Sequence, residues 1–155
     1  MSNPAQLSIW NLLLSSIADE MGIALWRTGH SPNIRERKDF SCALFDIEGG
    51  LVAQAAHIPV HLGAMPEAIK VISRLAPWDE GDIVILNDPY LGGTHLPDIT
   101  LVSPVFSKGT MLGFVANRAH HADIGGMSAG SMPVASELYQ EGLIIPPLRL
   151  YRKGV

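Results

Sequence analysis

A single cysteine, Cys42, stands in 155 residues, which excludes an internal disulfide and a thiolate zinc cluster. Charge is sparse: Asp, Glu, Lys and Arg make up 17% of the chain, with 11 basic against 15 acidic residues and a net charge of -4. No basic patch stands out, so nucleic acid is not an expected partner. Long hydrophobic runs are missing as well. Leu12-Leu13-Leu14 near the N-terminus is far short of the roughly 20 residues that span a bilayer. The first basic residue is Arg27, so the chain lacks the charged start of a secretory signal. A soluble, cytoplasmic protein with no membrane partner is the expectation. No Gly-x-x-x-x-Gly-Lys loop is present to hold a nucleotide, and Ser131 lacks the Gly-x-Ser-x-Gly elbow of a serine hydrolase. What the chain has is apolar material, 47% of its residues. A globular chain of this length buries roughly 70% of the surface its unfolded form exposes, which is enough for one domain, taken as residues 1–155.

Residues 3–28 read as one amphipathic helix, because Leu7, Trp10, Leu14, Ile17, Met21 and Leu25 recur at steps of three and four. Asn3 can cap it and Pro4 suits its first position, while Gly29 and Pro32 end it. Its apolar face needs a partner surface, in this chain or in another. Strands are predicted over 41–47 and 51–54 around the turn Glu48-Gly49-Gly50, then a helix over 66–75 stopped by Pro77. Three more strands follow, over 82–87, 99–106 and 110–117, the last two as a hairpin around Ser107-Lys108-Gly109. The small-residue stretch 124–131 reads as a loop, and Ile145-Pro146-Pro147 resists regular structure. The order helix, two strands, helix, three strands predicts an α+β domain: an antiparallel sheet of about five strands with helices on one face. Cys42 falls on a strand among apolar residues and is expected to be buried rather than nucleophilic.

The polar residues are concentrated. The segment Asn87-Asp88-Pro89-Tyr90-Leu91-Gly92-Gly93-Thr94-His95-Leu96-Pro97-Asp98 leads into the hairpin, and Asn117-Arg118-Ala119-His120-His121-Ala122-Asp123 leads out of it. The outer ends of a hairpin are close in space, so His95 and Asp98 should lie near His120 and Asp123. Two imidazoles and one or two carboxylates on one spot suit a divalent metal such as zinc, manganese or iron. Three protein ligands would leave positions open for water or substrate. On an extended segment His120 and His121 point to opposite faces, so only one of them should ligate. Read locally, the same residues also serve as hydrogen-bonding groups of a turn, with Asp98 as its cap. The run Arg35-Glu36-Arg37-Lys38-Asp39 reads by itself as a solvated charged turn. In His57-Ile58-Pro59-Val60-His61 the proline favours an extended stretch whose two histidines share a face, to orient a substrate or to pack.

Four segments taken together resemble the hydantoinase B family. They are Arg35-Glu36-Arg37-Lys38-Asp39-Phe40-Ser41, the stretch from Val52 to Gly63, Asn87-Asp88-Pro89-Tyr90 through Asp98, and Ala116 to Asp123. That family includes N-methylhydantoinase B subunits, the alpha subunit of acetone carboxylase and the C-terminal half of 5-oxoprolinase. The resemblance runs from about Ala5 to Leu150. It implies part of an ATP-dependent amidohydrolase that opens a cyclic amide of the hydantoin or 5-oxoproline type. Alternatives are a ketone carboxylase alpha-type subunit, or a non-catalytic module that keeps the fold. ATP would be bound by a separate A-type subunit in a hetero-oligomer. Matched residue by residue, the implied metal ligands are His95, Asp98 and His120, for manganese or zinc, with His121 and Asp123 behind them to fix their orientation. Glu36, Asp39 and His61 lie in the matching motifs and are the catalytic candidates, Glu36 for gating or proton transfer. Family members are several times longer, so an N-terminal piece of a B-type subunit, from a split gene or a truncation, is the expectation.

Overall fold

The computed structural model describes residues 3–56 and 60–155. The first helix, α1 (Pro4–Thr28), starts where Asn3 accepts a hydrogen bond from the Ala5 N–H, with Pro4 in its first turn. A one-turn helix, α2 (Pro32–Arg35), leads into the antiparallel pair β1 (Phe40–Phe45) and β2 (Leu51–Ala56). In the connecting turn the Asp46 carboxylate accepts from the Glu48 and Gly50 N–H groups, while Gly49 takes a positive φ of 88°. Helix α3 (Val60–Ser73) follows, then β3 (Ile83–Leu86), β4 (Asp98–Ser107), β5 (Thr110–His120) and β6 (Leu148–Tyr151). All pair antiparallel in one six-stranded sheet of order β2-β1-β5-β4-β3-β6.

The expected α+β antiparallel architecture is therefore present, with three differences that have physical causes. The sixth strand lies just past Pro146-Pro147. The prolines end before it, and as an edge strand it pairs on one side only, with β3. Helix α3 starts at Val60 rather than Pro66, so Pro66 is interior to it and His61 is helical rather than extended. The proline was a poor marker of the helix start because only its own backbone bond is lost, and the turns before it still form. The expected extended geometry over 57–59 lies outside the described residues. Third, the helices divide between the two faces of the sheet rather than sharing one.

Alternation along the strands shows the division. Ala43, Phe45, Val84, Leu86, Val102, Phe114 and Ala116 pack against Met65, Ala68, Ile69 and Ile72 of α3. Phe40, Cys42 and Ala119, of opposite parity, pack against Ile34 of α2 and Met21 and Leu25 of α1. Cys42 is buried, and desolvation pushes its thiol up to about 12, so it is inert as expected. Ala18 and Gly22, the buried positions of α1, are small and let the helix lie close on the sheet. The N-terminal half of α1 is not covered: Leu7 is 59% and Trp10 62% exposed. The α3 side is the main core, where full burial of a side chain such as Ile69 or Ile72 contributes about 1.5–3 kcal/mol. No helix among the described residues is long and apolar enough to cross a membrane.

Candidate metal centre

The α3-facing stripe of the sheet is apolar at its middle and polar at one end. By the same alternation, Ser41 on β1, Asp98 and Thr100 on β4, and Arg118 and His120 on β5 continue that face. Strand β5 runs three residues further than the sequence reading placed it, which brings Arg118 and His120 into the ladder. The register sets Asp98 directly opposite His120.

Asp98 is fully buried and forms the hub. Its Oδ1 lies 3.1 Å from His120 Nδ1, and its Oδ2 lies 2.9 Å from His95 Nδ1 and 3.3 Å from His61 Nε2. The Thr94 hydroxyl also donates to Oδ2. Burial alone would raise the Asp98 pKa, but the hydrogen bonds from His120, His61, His95 and Thr94 outweigh it and hold the carboxyl far below the ordinary range. The partner effect appears at His95: its hydrogen bond to Asp98, opposed by burial and aided by the charges of Asp98, Asp39 and Glu141, raises its pKa. The rings of His95 and His120 lie 4.8 Å apart, tilted by 37°. One ligand atom from each of His95, Asp98 and His120 lies within 4.8 Å of the others. Two imidazole nitrogens and a carboxylate in that space match a borderline divalent cation in donor type and number, with coordination positions to spare.

Each of these side chains is held by its surroundings. His61 is 1% exposed, with Nδ1 3.1 Å from the Ser41 hydroxyl and Nε2 3.9 Å from Asp39. Asp39, with 27% of its side chain exposed, is the half-buried carboxylate at the rim. The segment bearing His95 is pinned by Gly92, whose φ is 94° and whose Cβ, if it had one, would lie 2.3 Å from the Ala68 N atom of α3. Asn87, also fully buried, donates to the Leu96 and Leu143 carbonyls and accepts from the Ile145 N–H. Arg118 is wholly buried; its Nε donates to the Thr100 hydroxyl at 2.8 Å and one terminal nitrogen to the Gly92 carbonyl at 2.6 Å. Burial lowers its pKa while the Asp98 charge acts in the opposite direction.

Other residues singled out in the sequence lie elsewhere. His121 faces away from His120 and lines a cavity with Leu25 and Ile34 on the α1 side; burial, then the neighbouring His120, lower its pKa. Asp123 is spent on its own loop, accepting from the Gly125 and Gly130 N–H groups and the Ser131 hydroxyl, contacts that depress its pKa. Glu36 is exposed at the end of α2, with no hydrogen bond or ion pair from its side chain among the described residues. Sequence reading gave no role to Asn87, Thr94 or Arg118. A polar residue at a strand end beside a chemistry-bearing loop was the one available signal.

The model of the hydantoinase B/oxoprolinase family matches residues 3–155. The chain belongs to this family. Over 160 aligned residues it is 49% identical to 5-oxoprolinase 1 of Arabidopsis thaliana, covering all of this chain and 12% of that protein. It superposes on the ATP-dependent caprolactamase of Pseudomonas jessenii with a TM-score of 0.86 and 32% identity, over 99% of this chain and 27% of the other. A nucleotide-free acetone carboxylase gives a TM-score of 0.89 at 22% identity, again over 99% of this chain and 21% of the other, a likeness of fold. The chain thus spans about an eighth of the length of the hydantoinase B/oxoprolinase relative and about a quarter of the caprolactamase chain.

Proposed function

We propose that this chain supplies the divalent-metal site of an ATP-dependent cyclic-amide hydrolase, acting on a ring of the 5-oxoproline or hydantoin type. The observation that carries the reading is the convergence of His95, Asp98 and His120 around one buried carboxylate, with ligand atoms within 4.8 Å. The family supports it, and the 49% identity to a 5-oxoprolinase favours an amide substrate over a ketone. A bound zinc or manganese ion would act as a Lewis acid on the ring carbonyl or its activated form and orient a water. The residues around it have separable tasks. His61, almost fully buried, holds Asp98 and Ser41 in place rather than touching substrate. Asp39, at the rim, is positioned to take or return a proton. Arg118 ties the Gly92 carbonyl to Thr100, so the segment carrying His95 and the strand carrying Asp98 keep their spacing. Glu36 stands outside the cluster, exposed at the end of α2, where its task is that of a gate. Ring opening of 5-oxoproline by this chain with an A-type subunit, ATP and manganese is the test. Activity that survives complete removal of metal would sink the reading.

In this reading ATP is handled by the A-type partner. The isolated chain is accordingly expected to bind no labelled ATP at micromolar concentration, and saturable binding would overturn that assignment. The uncovered half of α1 gives a second expectation. An exposed apolar face of this kind marks an interface, so light scattering at high concentration should report association. A clean monomer would count against it.

A further inference from the structure

A cavity of about 350 Å³ lies on the sheet face opposite the metal centre, between the α1–α2 junction and strands β4 and β5. Its walls include Leu25, Ile34, Ile99 and Leu101, and no Lys, Arg, Asp or Glu lines it. Four polar side chains that line it have no hydrogen-bond partner among the described residues: Ser31, Asn117, His121 and, exposed at the mouth, His30. The Ser31 hydroxyl is buried and has no hydrogen-bond partner. Ser31 holds the N-cap position of α2, where a serine ordinarily bonds the first turn, yet it makes no such bond. Asn117, inside β5, and His121, just past its end, also lack a side-chain hydrogen-bond partner among the described residues. Buried polar groups are paired in the great majority of cases, so the idle buried Ser31 hydroxyl, with the partly buried Asn117 and His121 beside it, calls for a ligand.

We propose that this cavity binds a small uncharged amide that hydrogen-bonds at both ends and is apolar between them. Asn117 and His121 share one strand face four residues apart, about 13 Å along the strand, with the small Ala119 between them. The Asn117 carboxamide offers a donor and an acceptor side by side, the complement of an amide C=O and N–H. His121 offers a donor and an acceptor at the other end, and Ser31 a hydroxyl from across the cavity. With no Lys, Arg, Asp or Glu in its walls, the cavity favours an uncharged ligand over a charged one. The size is within the range of small-molecule sites. The proposal is independent of the metal centre.

The test is an NMR titration of the whole chain with N-acetyl-L-leucinamide. Saturable shifts are expected at the Asn117 side-chain amide and the His121 ring, with free leucine, a zwitterion, binding at least 10-fold more weakly. Asn117→Leu keeps the volume and removes the amide. It should weaken binding at least 10-fold while metal content by elemental analysis and the circular dichroism spectrum stay as in the parent protein. If that variant fails to fold, Ser31→Ala serves, with a loss of roughly 3-fold or more expected. Unchanged affinity in the folded variant, equal binding of leucine, or shifts confined to His95 and His120 would each overturn the proposal.

Discussion

Replacing His95, Asp98 or His120 by alanine is expected to remove most bound zinc or manganese while leaving the circular dichroism spectrum nearly unchanged. The proposed ligands sit at the polar end of the stripe, where the Leu86 and Phe114 core is already closed, so the expected loss is of coordination rather than of packing. Asp98→Asn is the sharper variant. It keeps the shape, but a neutral amide cannot hold three imidazoles through two acceptor oxygens, and its N–H₂ would confront a histidine nitrogen. His121→Ala, on the other face, should retain most of the metal. Elemental analysis of the variants decides. A stripped His121→Ala beside a loaded His120→Ala would reverse the pair, and unchanged metal in all of them would place the site elsewhere.

The same centre fixes the direction of the pH dependence. A ligating imidazole must be neutral, and the raised pKa of His95 means protons compete for it from above the ordinary value of 6.5. Metal affinity should therefore fall as pH drops through that region. Without metal the signs differ. The His95 contribution to stability is complete below pH 6.5 and is lost as pH rises through its raised folded value. The depressed Asp98 contributes above pH 3.8, its ordinary value, and that contribution is lost as pH falls below it. The metal-free chain should thus draw most from this cluster between those two values, and a stability optimum well above pH 8 in chelator would contradict the assignment.

Asn87→Leu should produce the largest loss of stability of any single polar substitution considered. It strands the buried Leu96 carbonyl and removes the partner of the partly buried Leu143 carbonyl and Ile145 N–H. A fully buried abandoned group costs about 1–3 kcal/mol and the two partly buried ones less, so a total of roughly 3–5 kcal/mol is expected, which lowers Tm by about 10 °C. Metal retention should fall with it, because Asn87 opens the segment that carries His95. A Tm within 2 °C of the parent would show that water replaces the lost bonds.

The sequence made the hairpin legible because turn residues and alternating apolar positions specify it locally. A hairpin brings its outer ends together whatever else the chain does, so the meeting of His95, Asp98 and His120 could be read before the fold. What escaped was set by distant contacts. Arg118 looks like a surface residue until β5 is seen to continue beneath the loop of Gly92. Asn87 gains its meaning from residues more than fifty positions away. The early start of α3 ran against a proline, and β6 needed β3 as a template. For Asp123, proximity in sequence to His120 was misleading, since glycines two and seven residues further on supply closer partners. The division of the helices between the two faces depended on which side of β1 each connection took, which residue pattern alone leaves open.

The pairing of Asp98 with His120 has a consequence for the order of assembly. All three converging side chains come from a span of 26 residues within one hairpin and its lead-in. Closing a loop of that length costs little more entropy than closing a shorter one, and hairpins form within microseconds. The carboxylate and its two histidines can therefore meet early in folding, before β1 or α3 is in place. A cation present at that moment would favour the native register, because a slip of one residue would turn Asp98 and His120 to opposite faces.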